Sequence, residues 1–194
     1  MSARAQSSFE TTAPSLAVLE LSSIARGLVV ADALVKRAKV RIVKADPVTP
    51  GKFLLVFVGD EASVEESLNK GREAAGTTEL DVLWLPYAHP ALLPALDRVD
   101  TPPIEGSLGI LEFATVAATL RAADTALKTA NVALAALHWA RGVGGKGYFV
   151  LTGEQDEVEA AMQAGLEAVE PSLRVGSELV ARPHPEVDWV LSRL

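Results

Sequence analysis

One building block occurs twice in this sequence. Ser15–Leu21 (SLAVLEL) returns as Ser107–Phe113 (SLGILEF), which sets an offset of 92 residues between the copies. The offset rises to 94 and then 95 along the chain, and the further matching segments are Ala31–Lys36 with Ala123–Lys128, Gly51-Lys52 with Gly145-Lys146, and His89-Pro90 with His184-Pro185. Because the matches keep their order along nearly the whole chain, they indicate a tandem duplication of one folding unit.

The duplication divides the 194 residues into two domains, each of a size that can fold on its own. We predict the first domain over residues 15–99 and the second over residues 107–194. The linker between them is predicted at 100–106 (DTPPIEG), where two prolines and a glycine interrupt regular structure. Residues 1–14 are polar and lack the apolar stretch of a secretory signal, so they are predicted to form a disordered leader.

Each copy has the element order strand, helix, strand, strand, helix, strand, followed by a short C-terminal helix. The strands are predicted at residues 16–21, 40–45, 53–58 and 82–85, and again at 108–113, 132–137, 148–152 and 178–181. The first helix of each copy has apolar residues at a 4-3-4 spacing, which predicts one buried stripe: Ile24, Leu28, Ala31 and Val35, then Val116, Leu120, Ala123 and Leu127. This order predicts an α+β fold of two tandem ferredoxin-like domains, each a four-stranded antiparallel sheet with helices packed on it.

Composition excludes several classes of protein. Eighteen basic residues against 25 acidic ones give a net charge of −7 at pH 7, whereas a nucleic-acid binder needs a clustered basic face. The absence of cysteine rules out disulfides, thiolate metal sites and iron–sulfur clusters. Apolar residues make up 49% of the chain, yet no run is long enough to span a bilayer. We therefore expect a large core or apolar surface buried against neighbouring copies.

The segment Gly142–Gly147 (GVGGKG) matches the G-x-G-x-x-G spacing of a dinucleotide-binding loop. That loop leads from a strand into a helix, whose N-terminus binds the pyrophosphate. Here the residues that follow, Tyr148–Thr152 (YFVLT), predict a strand instead. The adjoining lysine suggests a P-loop, but Ala140 and Gly147 stand where that motif needs glycine and serine or threonine. We therefore interpret the segment as a turn that depends on glycine.

Two pairs of repeat-equivalent polar residues are candidates for chemistry. Glu20 and Glu112 stand among apolar residues at the end of the first strand, and we interpret them as structural because a buried carboxylate needs hydrogen-bond donors. His89 and His184 each precede a proline at the exit of the last strand, and their equivalence favours a structural or interface role over metal binding. An enzyme that pairs one of these carboxylates with a histidine across a subunit boundary stays open as an alternative.

With these residues in view, each half resembles a bacterial microcompartment (BMC) shell domain, from the family that builds the shells of carboxysomes and metabolosomes. The resemblance rests on features that both copies share: the opening SLAVLE or SLGILE, the ADxxxK or ADxxLK segment, the small-residue turn before Gly-Lys, and the later Gly59 or Gly153. It also rests on the closing segment Ala181–Pro185 (ARPHP). It covers residues 15–98 and 107–192 in unpermuted order. The chain is thus similar to the tandem, non-permuted branch (BMC-T), whose members form trimers that imitate a hexamer.

The resemblance implies roles for residues of this sequence. Two turns would line a central pore: Thr49, Pro50 and Gly51 in the first copy, and Val143, Gly144 and Gly145 in the second. The edges that meet neighbouring tiles would carry Lys36, Lys128, Arg182 and His184. Tyr87 stands where the first copy would have the equivalent of Arg182. Some tandem members bind an iron–sulfur cluster through a pore cysteine, which this sequence does not have.

We therefore expect a structural shell protein, not an enzyme, in the shell of a microcompartment in the cytoplasm. No catalytic residue, metal or cofactor is expected. The expected partners are two further copies in a homotrimer, other hexameric and pentameric shell proteins, and small polar or anionic metabolites that cross the pore. Neither nucleic acid nor a membrane is expected as a partner. A trimeric small-molecule-binding or regulatory protein of ferredoxin-like domains is the alternative hypothesis.

Overall fold

The computed structural model describes residues 14–96, 103–139, 142 and 144–187. Several predictions therefore fall wholly or partly outside the described residues. They concern the leader up to residue 13, the end of the first domain at 97–99, the first part of the linker at 100–102, the pore residue Val143, and the end of the second domain at 188–194 with its short C-terminal helix.

The two halves have the same order of strands and helices up to the last strand of each sheet, and α3 follows that strand in the first half. The first half contains β1 (Ser15–Leu21), α1 (Ile24–Arg37), β2 (Arg41–Val48), β3 (Lys52–Gly59), α2 (Glu61–Ala75), β4 (Glu79–Leu85) and α3 (Leu92–Leu96). The second half contains β5 (Ser107–Phe113), α4 (Val116–Thr129), β6 (Ala133–Trp139), β7 (Gly147–Gly153), α5 (Gln155–Glu167) and β8 (Arg174–Val180). Single turns of 3-10 helix at 76–78 and 171–173 lead into β4 and β8.

Each half is a four-stranded antiparallel sheet on which helices pack. The strand orders are β2-β3-β1-β4 and β6-β7-β5-β8. β1 pairs with two strands, so that Val18 stands opposite Val56 on one side and Leu83 on the other. The predicted α+β fold of two tandem domains is confirmed. The last strand of each sheet begins three or four residues earlier than predicted, at Glu79 and Arg174.

Helices begin where the sequence supplies side-chain caps. The Ser23 hydroxyl accepts a hydrogen bond from the amide of Arg26 at 3.2 Å, and the Asp60 carboxylate accepts one from the amide of Ser63 at 2.9 Å. Thr115 caps α4 in the same way. These bonds satisfy amides that the first helical turn leaves unpaired. The bond from Ser63 also lowers the pKa of Asp60, because it favours the charged carboxylate.

β3 is buried along nearly its whole length, because both faces of the first sheet are covered. Phe53 and Phe57 belong to a hydrophobic cluster with residues of α1 and α2. Leu54 and Val56, on the other face, belong to a cluster that also contains Leu120 of α4 and residues of α3. The two halves of the chain therefore share part of their hydrophobic core.

The apolar stripe predicted for α1 is not the face that this helix buries within the chain. The buried residues of α1 are Gly27, Val30 and Leu34. Three residues of the predicted stripe are exposed to 43%, 64% and 42%: Ile24, Leu28 and Val35. The prediction of a buried stripe is therefore wrong for α1 in a single chain.

The equivalent stripe of α4 is buried, as predicted. Val116, Leu120 and Ala123 are fully buried, and Leu127 is 6% exposed. The two helices differ because α4 packs against its own sheet and also against β1 and β4 of the first half, whereas the extensive contacts of α1 among the described residues are with elements of its own domain. In α4, the 4-3-4 stripe therefore lies on the helix face that packs against the first half.

Candidate functional site: the domain junction and the glycine turns

The junction between the halves is formed by the edge of the first sheet and by α4. β4 is the outer strand of that sheet, and both it and β1 contact α4. The two domains share one fold but contribute different surfaces, so the junction is head-to-tail. A head-to-tail contact leaves the complementary surface free on each domain, and this geometry builds rings or filaments when it repeats.

A buried carboxylate links the two domains at this junction. Glu20 on β1 is 1% exposed, and one of its oxygens accepts a hydrogen bond from the amide of Ala117, in the first turn of α4, at 2.9 Å. The other oxygen accepts a bond from Lys52 Nζ at 3.3 Å. Burial raises the pKa of Glu20, although the Ala117 amide and the Lys52 ammonium act in the opposite direction. Glu20 therefore has the hydrogen-bond donors that were expected for a buried carboxylate.

A second carboxylate joins the exit of β4 to α4. The amide of His89 donates to one oxygen of Asp124 at 2.7 Å, and Lys128 Nζ donates to the other oxygen at 2.6 Å. Lys128 Nζ also donates to the carbonyl oxygen of Tyr87. Burial lowers the pKa of the half-buried His89 imidazole. The His89 backbone amide therefore takes part in the contact between the two halves, whereas the role expected of its side chain stays a prediction.

Two more hydrogen bonds cross the junction. The Thr115 hydroxyl donates to the Asp81 carboxylate, and the Arg121 guanidinium donates to the carbonyl oxygen of Val82 at 3.2 Å. Sequence reasoning did not single out Asp81. Its repeat equivalent is Gly176, so no repeated pattern marks this position.

The other junction carboxylate could have been found from the sequence. Asp124 and its equivalent Asp32 are the aspartates of the two repeated ADxxLK and ADxxxK segments. The motif was visible, but only the tertiary structure shows that its aspartate accepts an amide from another domain.

The repeat places an equivalent of the junction surface on the outside of the chain. Glu112 corresponds to Glu20, and its carboxylate contacts Lys146 Nζ at 2.8 Å. The Glu112 side chain is 37% exposed, against 1% for Glu20. β8, the strand equivalent to β4, is exposed along most of its length. Within the described residues, the second half thus presents on its surface the same kind of edge that the first half uses to hold α4.

The two turns that were expected to line a pore lie beside each other. Thr49–Gly51 connects β2 to β3, and Gly142, Gly144 and Gly145 belong to the connection from β6 to β7. These three glycines have φ values of 74°, 67° and 81°, the left-handed region that favours glycine. A Cβ atom on Gly145 would lie 2.6 Å from the carbonyl oxygen of Thr49. The two turns therefore approach each other more closely than a residue with a side chain would allow.

The predicted edge residues have different surroundings. Lys36 Nζ contacts Asp32 at 2.6 Å, and its side chain is 71% exposed. Lys128 takes part in the junction but is still 44% exposed. Arg182 and His184 follow β8 and are exposed. The role of these four residues at a tile edge stays a prediction.

The described residues do not combine into a metal site or a nucleotide loop. Among residues 14–96, 103–139, 142 and 144–187, no group of three or more histidine, aspartate or glutamate side chains could hold a metal ion. Gly147 begins strand β7 rather than a helix. The interpretation of the glycine segment as a turn is therefore confirmed.

A cleft of about 450 Å³ opens beside the junction, where a regulatory ligand could be sought. Its charged lining consists of three carboxylates and two guanidinium groups: Asp81, Glu167, Glu170, Arg121 and Arg174. Each guanidinium already donates to a backbone carbonyl oxygen. This mixed lining concentrates no charge of one sign, so it does not single out an anionic or a cationic ligand.

Comparison with known proteins identifies the family. The sequence profile of the BMC domain matches this chain twice, over residues 15–86 and 107–183. The chain belongs to the BMC shell protein family. The bacterial microcompartment shell protein PduT of Citrobacter freundii is 38% identical over 170 residues, which cover 87% of this chain and 92% of PduT. The family expected from the repeated motifs is confirmed.

Solved structures agree with this assignment. The crystal structure of a microcompartments protein from Desulfitobacterium hafniense DCB matches with a TM-score of 0.82 and 36% identity, covering 91% of this chain and 99% of that one. A fused permuted hexameric shell protein from the RMM microcompartment matches with a TM-score of 0.61 and 21% identity over 80% of each chain, which shows a shared fold. This BMC protein is a microcompartment shell protein. No helix among its described residues is long and apolar enough to cross a membrane.

Proposed function

We propose that three copies of this BMC protein close into a ring of six domains, which tiles a shell facet and surrounds a central pore. The kinship with PduT and with the Desulfitobacterium hafniense protein supports a place in the shell. The pore would pass small polar or anionic metabolites by diffusion, so no catalytic step belongs to this function.

The contrast between the two equivalent helices carries the proposal. Leu120 on α4 is fully buried at the domain junction, whereas Leu28, at the same position of α1, is 64% exposed. An apolar stripe that is repeated but left uncovered marks a surface for a partner. The surface that covers it in α4 is a sheet edge, and β8 offers the same kind of edge on the other side of the chain. If the internal contact is repeated between chains, an open row of chains leaves one helix stripe and one sheet edge uncovered at its ends. A closed ring covers all of these surfaces.

The pore follows from the position of the turns within this ring. Thr49–Gly51 and the Gly144-Gly145 turn are neighbours inside one chain, so six such turns would alternate around the axis of the trimer. Glycines with positive φ can direct backbone N–H groups towards a solute, which suits anionic and polar molecules. The second turn has two more residues than the first, so the opening would have threefold rather than sixfold symmetry.

The outer edge of the ring would meet hexameric and pentameric shell proteins. We assign this edge to the exposed parts of Lys36, Lys128, Arg182 and His184. The lysine and arginine side chains of this set have long, flexible stems, which suit contacts between separately folded tiles because they adjust to a neighbour without a rearrangement of the backbone.

Native mass spectrometry tests the ring directly. We expect a species of three times the 20.4 kDa chain mass at micromolar concentration, and flat sheets of such particles by electron microscopy. A monomer at these concentrations would contradict the proposal. A trimer that forms no sheets and does not enter shells with other shell proteins would favour the ligand-binding alternative.

A matched pair of substitutions at Gly144 tests the pore. A Cβ atom at Gly144 would have no heavy atom within 4 Å, and asparagine and aspartate tolerate its φ of +67° better than most residues. We expect Gly144→Asp to slow the supply of an anionic substrate to an encapsulated reporter enzyme more than Gly144→Asn does, because the two side chains differ mainly in charge. A neutral substrate should be slowed equally by both. Equal effects on the anion would show that this turn does not line the route.

A further inference from the structure

We propose that Glu112, held by Lys146, is an intermolecular helix cap: its carboxylate accepts the backbone N–H of Ala25 at the start of α1 in a second copy of this chain. The inference rests on the ring proposed above and names the polar contact that closes it. The ligand of this site is therefore a helix N-terminus of the same protein.

The structure contains the prototype of this contact inside one chain. The Glu20 carboxylate accepts the Ala117 amide at 2.9 Å and the Lys52 ammonium at 3.3 Å. A carboxylate at the first turn of a helix satisfies an unpaired amide and interacts favourably with the positive end of the helix dipole. The helix that arrives at Glu20 is α4, and its arrival reduces the exposure of the carboxylate side chain to 1%.

Each residue of this internal contact has a repeat equivalent that is at least partly exposed on the surface of the chain. The offset of 92 residues takes Glu20 to Glu112 and Ala117 to Ala25, and the offset of 94 takes Lys52 to Lys146. The receiving pair is already assembled, because Lys146 Nζ lies 2.8 Å from a Glu112 oxygen. The two pairs differ in solvent exposure, because the Glu112 side chain is 37% exposed and that of Lys146 is 45% exposed. The site is thus complete except for the helix.

A second hydrogen bond of the internal junction also has repeat equivalents at matching positions. Inside the chain, the His89 amide donates to Asp124 on α4 at 2.7 Å. Asp32 on α1 and the His184 segment are the repeat equivalents, and the Asp32 carboxylate is 60% exposed beside Lys36. A second copy that places its α1 on Glu112 would bring Asp32 to the His184 amide.

The Glu112 contact should supply a larger share of the polar contacts between chains than the Glu20 contact supplies within a chain. Two hydrogen bonds of the internal junction have no counterpart in the repeat, because Asp81 is replaced by Gly176 and Arg121 by Val29. The junction between chains therefore has fewer polar contacts, and Glu112 supplies a larger share of them. A hydrogen bond to a charged group contributes enough that its loss weakens one junction by about 10- to 150-fold.

The test compares Glu112→Ala with Glu20→Ala in the full chain, with Glu112→Gln as a milder variant that keeps an acceptor oxygen. We expect Glu112→Ala to move the trimer–monomer midpoint in a dilution series by at least tenfold while the melting temperature of the monomer stays unchanged. Glu20→Ala should instead lower the melting temperature of the monomer, because its junction lies inside the chain. Glu112→Gln should fall between wild type and Glu112→Ala.

Hydrogen exchange gives a second readout that reports the bond itself. The peptide that contains Ala25 should be protected in the wild-type trimer and should exchange faster in Glu112→Gln at concentrations where that variant is still trimeric. Unchanged exchange at Ala25 together with an unchanged dilution midpoint for Glu112→Ala would overturn the cap and leave the ring standing. A wild-type chain that is monomeric throughout would overturn the ring itself.

Discussion

Leu28→Ala separates the stability of the chain from the assembly of the ring. Leu28 is 64% exposed, and its equivalent Leu120 is fully buried. Truncation of a buried leucine costs about 2–5 kcal/mol of unfolding free energy, whereas changes at exposed sites stay within about 0.5 kcal/mol. We therefore expect Leu120→Ala to destabilise the chain by about 2–5 kcal/mol and Leu28→Ala to leave the monomer nearly unchanged.

The same loss should appear at the junction between chains. If a second copy buries Leu28 as the first half buries Leu120, then Leu28→Ala costs each junction about 2–5 kcal/mol. Even the lower value weakens a junction by about 30-fold. The variant should therefore populate monomers at concentrations where the wild type is fully trimeric.

Sedimentation velocity over a dilution series measures this shift, and urea unfolding of the monomer measures the stability of the chain. Leu80→Ala is the matched control, because Leu80 on β4 is 49% exposed even though its strand already contacts α4. It should change neither quantity appreciably. An unchanged midpoint for Leu28→Ala would refute the burial of α1 in a second copy, and so would a loss of monomer stability as large as that of Leu120→Ala.

Two further predictions concern the turns and the internal carboxylate. Gly145→Ala should lower the unfolding free energy clearly more than Gly144→Ala, because both adopt positive φ but only Gly145 lies against the Thr49 carbonyl oxygen; equal melting temperatures would contradict this close approach. Burial raises the pKa of Glu20 above 4.5, so between 4.5 and the raised pKa the folded chain holds a proton that the unfolded chain has released. The free energy of unfolding of the wild type, relative to Glu20→Gln, should therefore fall as the pH rises through this window and then level off. Urea unfolding at a series of pH values measures it, and a difference that grows with pH would show that the Lys52 and Ala117 contacts outweigh burial.

Much of the candidate site could be predicted from repeated residues. The two glutamates stand at the same place in the two copies of the opening strand, and the turn glycines precede a strand rather than a helix. Asp81 could not be found this way, because its repeat equivalent is Gly176, so its contact with Thr115 leaves no repeated signal.

The helix stripes show where periodicity is insufficient. Ile24, Leu28 and Val35 have the spacing of a buried face, and so does the smaller set Gly27, Val30 and Leu34 that α1 buries. Spacing reports that a face is apolar, but it does not report which domain covers that face. In α4 both faces are covered, because the junction lies inside the chain.

The sequence by itself determined the duplication, the order of strands and helices in each copy, and the family, because these depend on local pattern and on the order of motifs. The tertiary structure alone decided that the first sheet edge holds α4 and that Glu20 accepts the Ala117 amide across 97 positions of the chain. Among the described residues, it also decided that Ile24, Leu28 and Val35 of α1 are exposed and that the Glu112 side chain is partly exposed. The physical reason is that docking of one domain on another depends on the relative placement of whole elements, and two identical patterns are buried or exposed according to what lies opposite them.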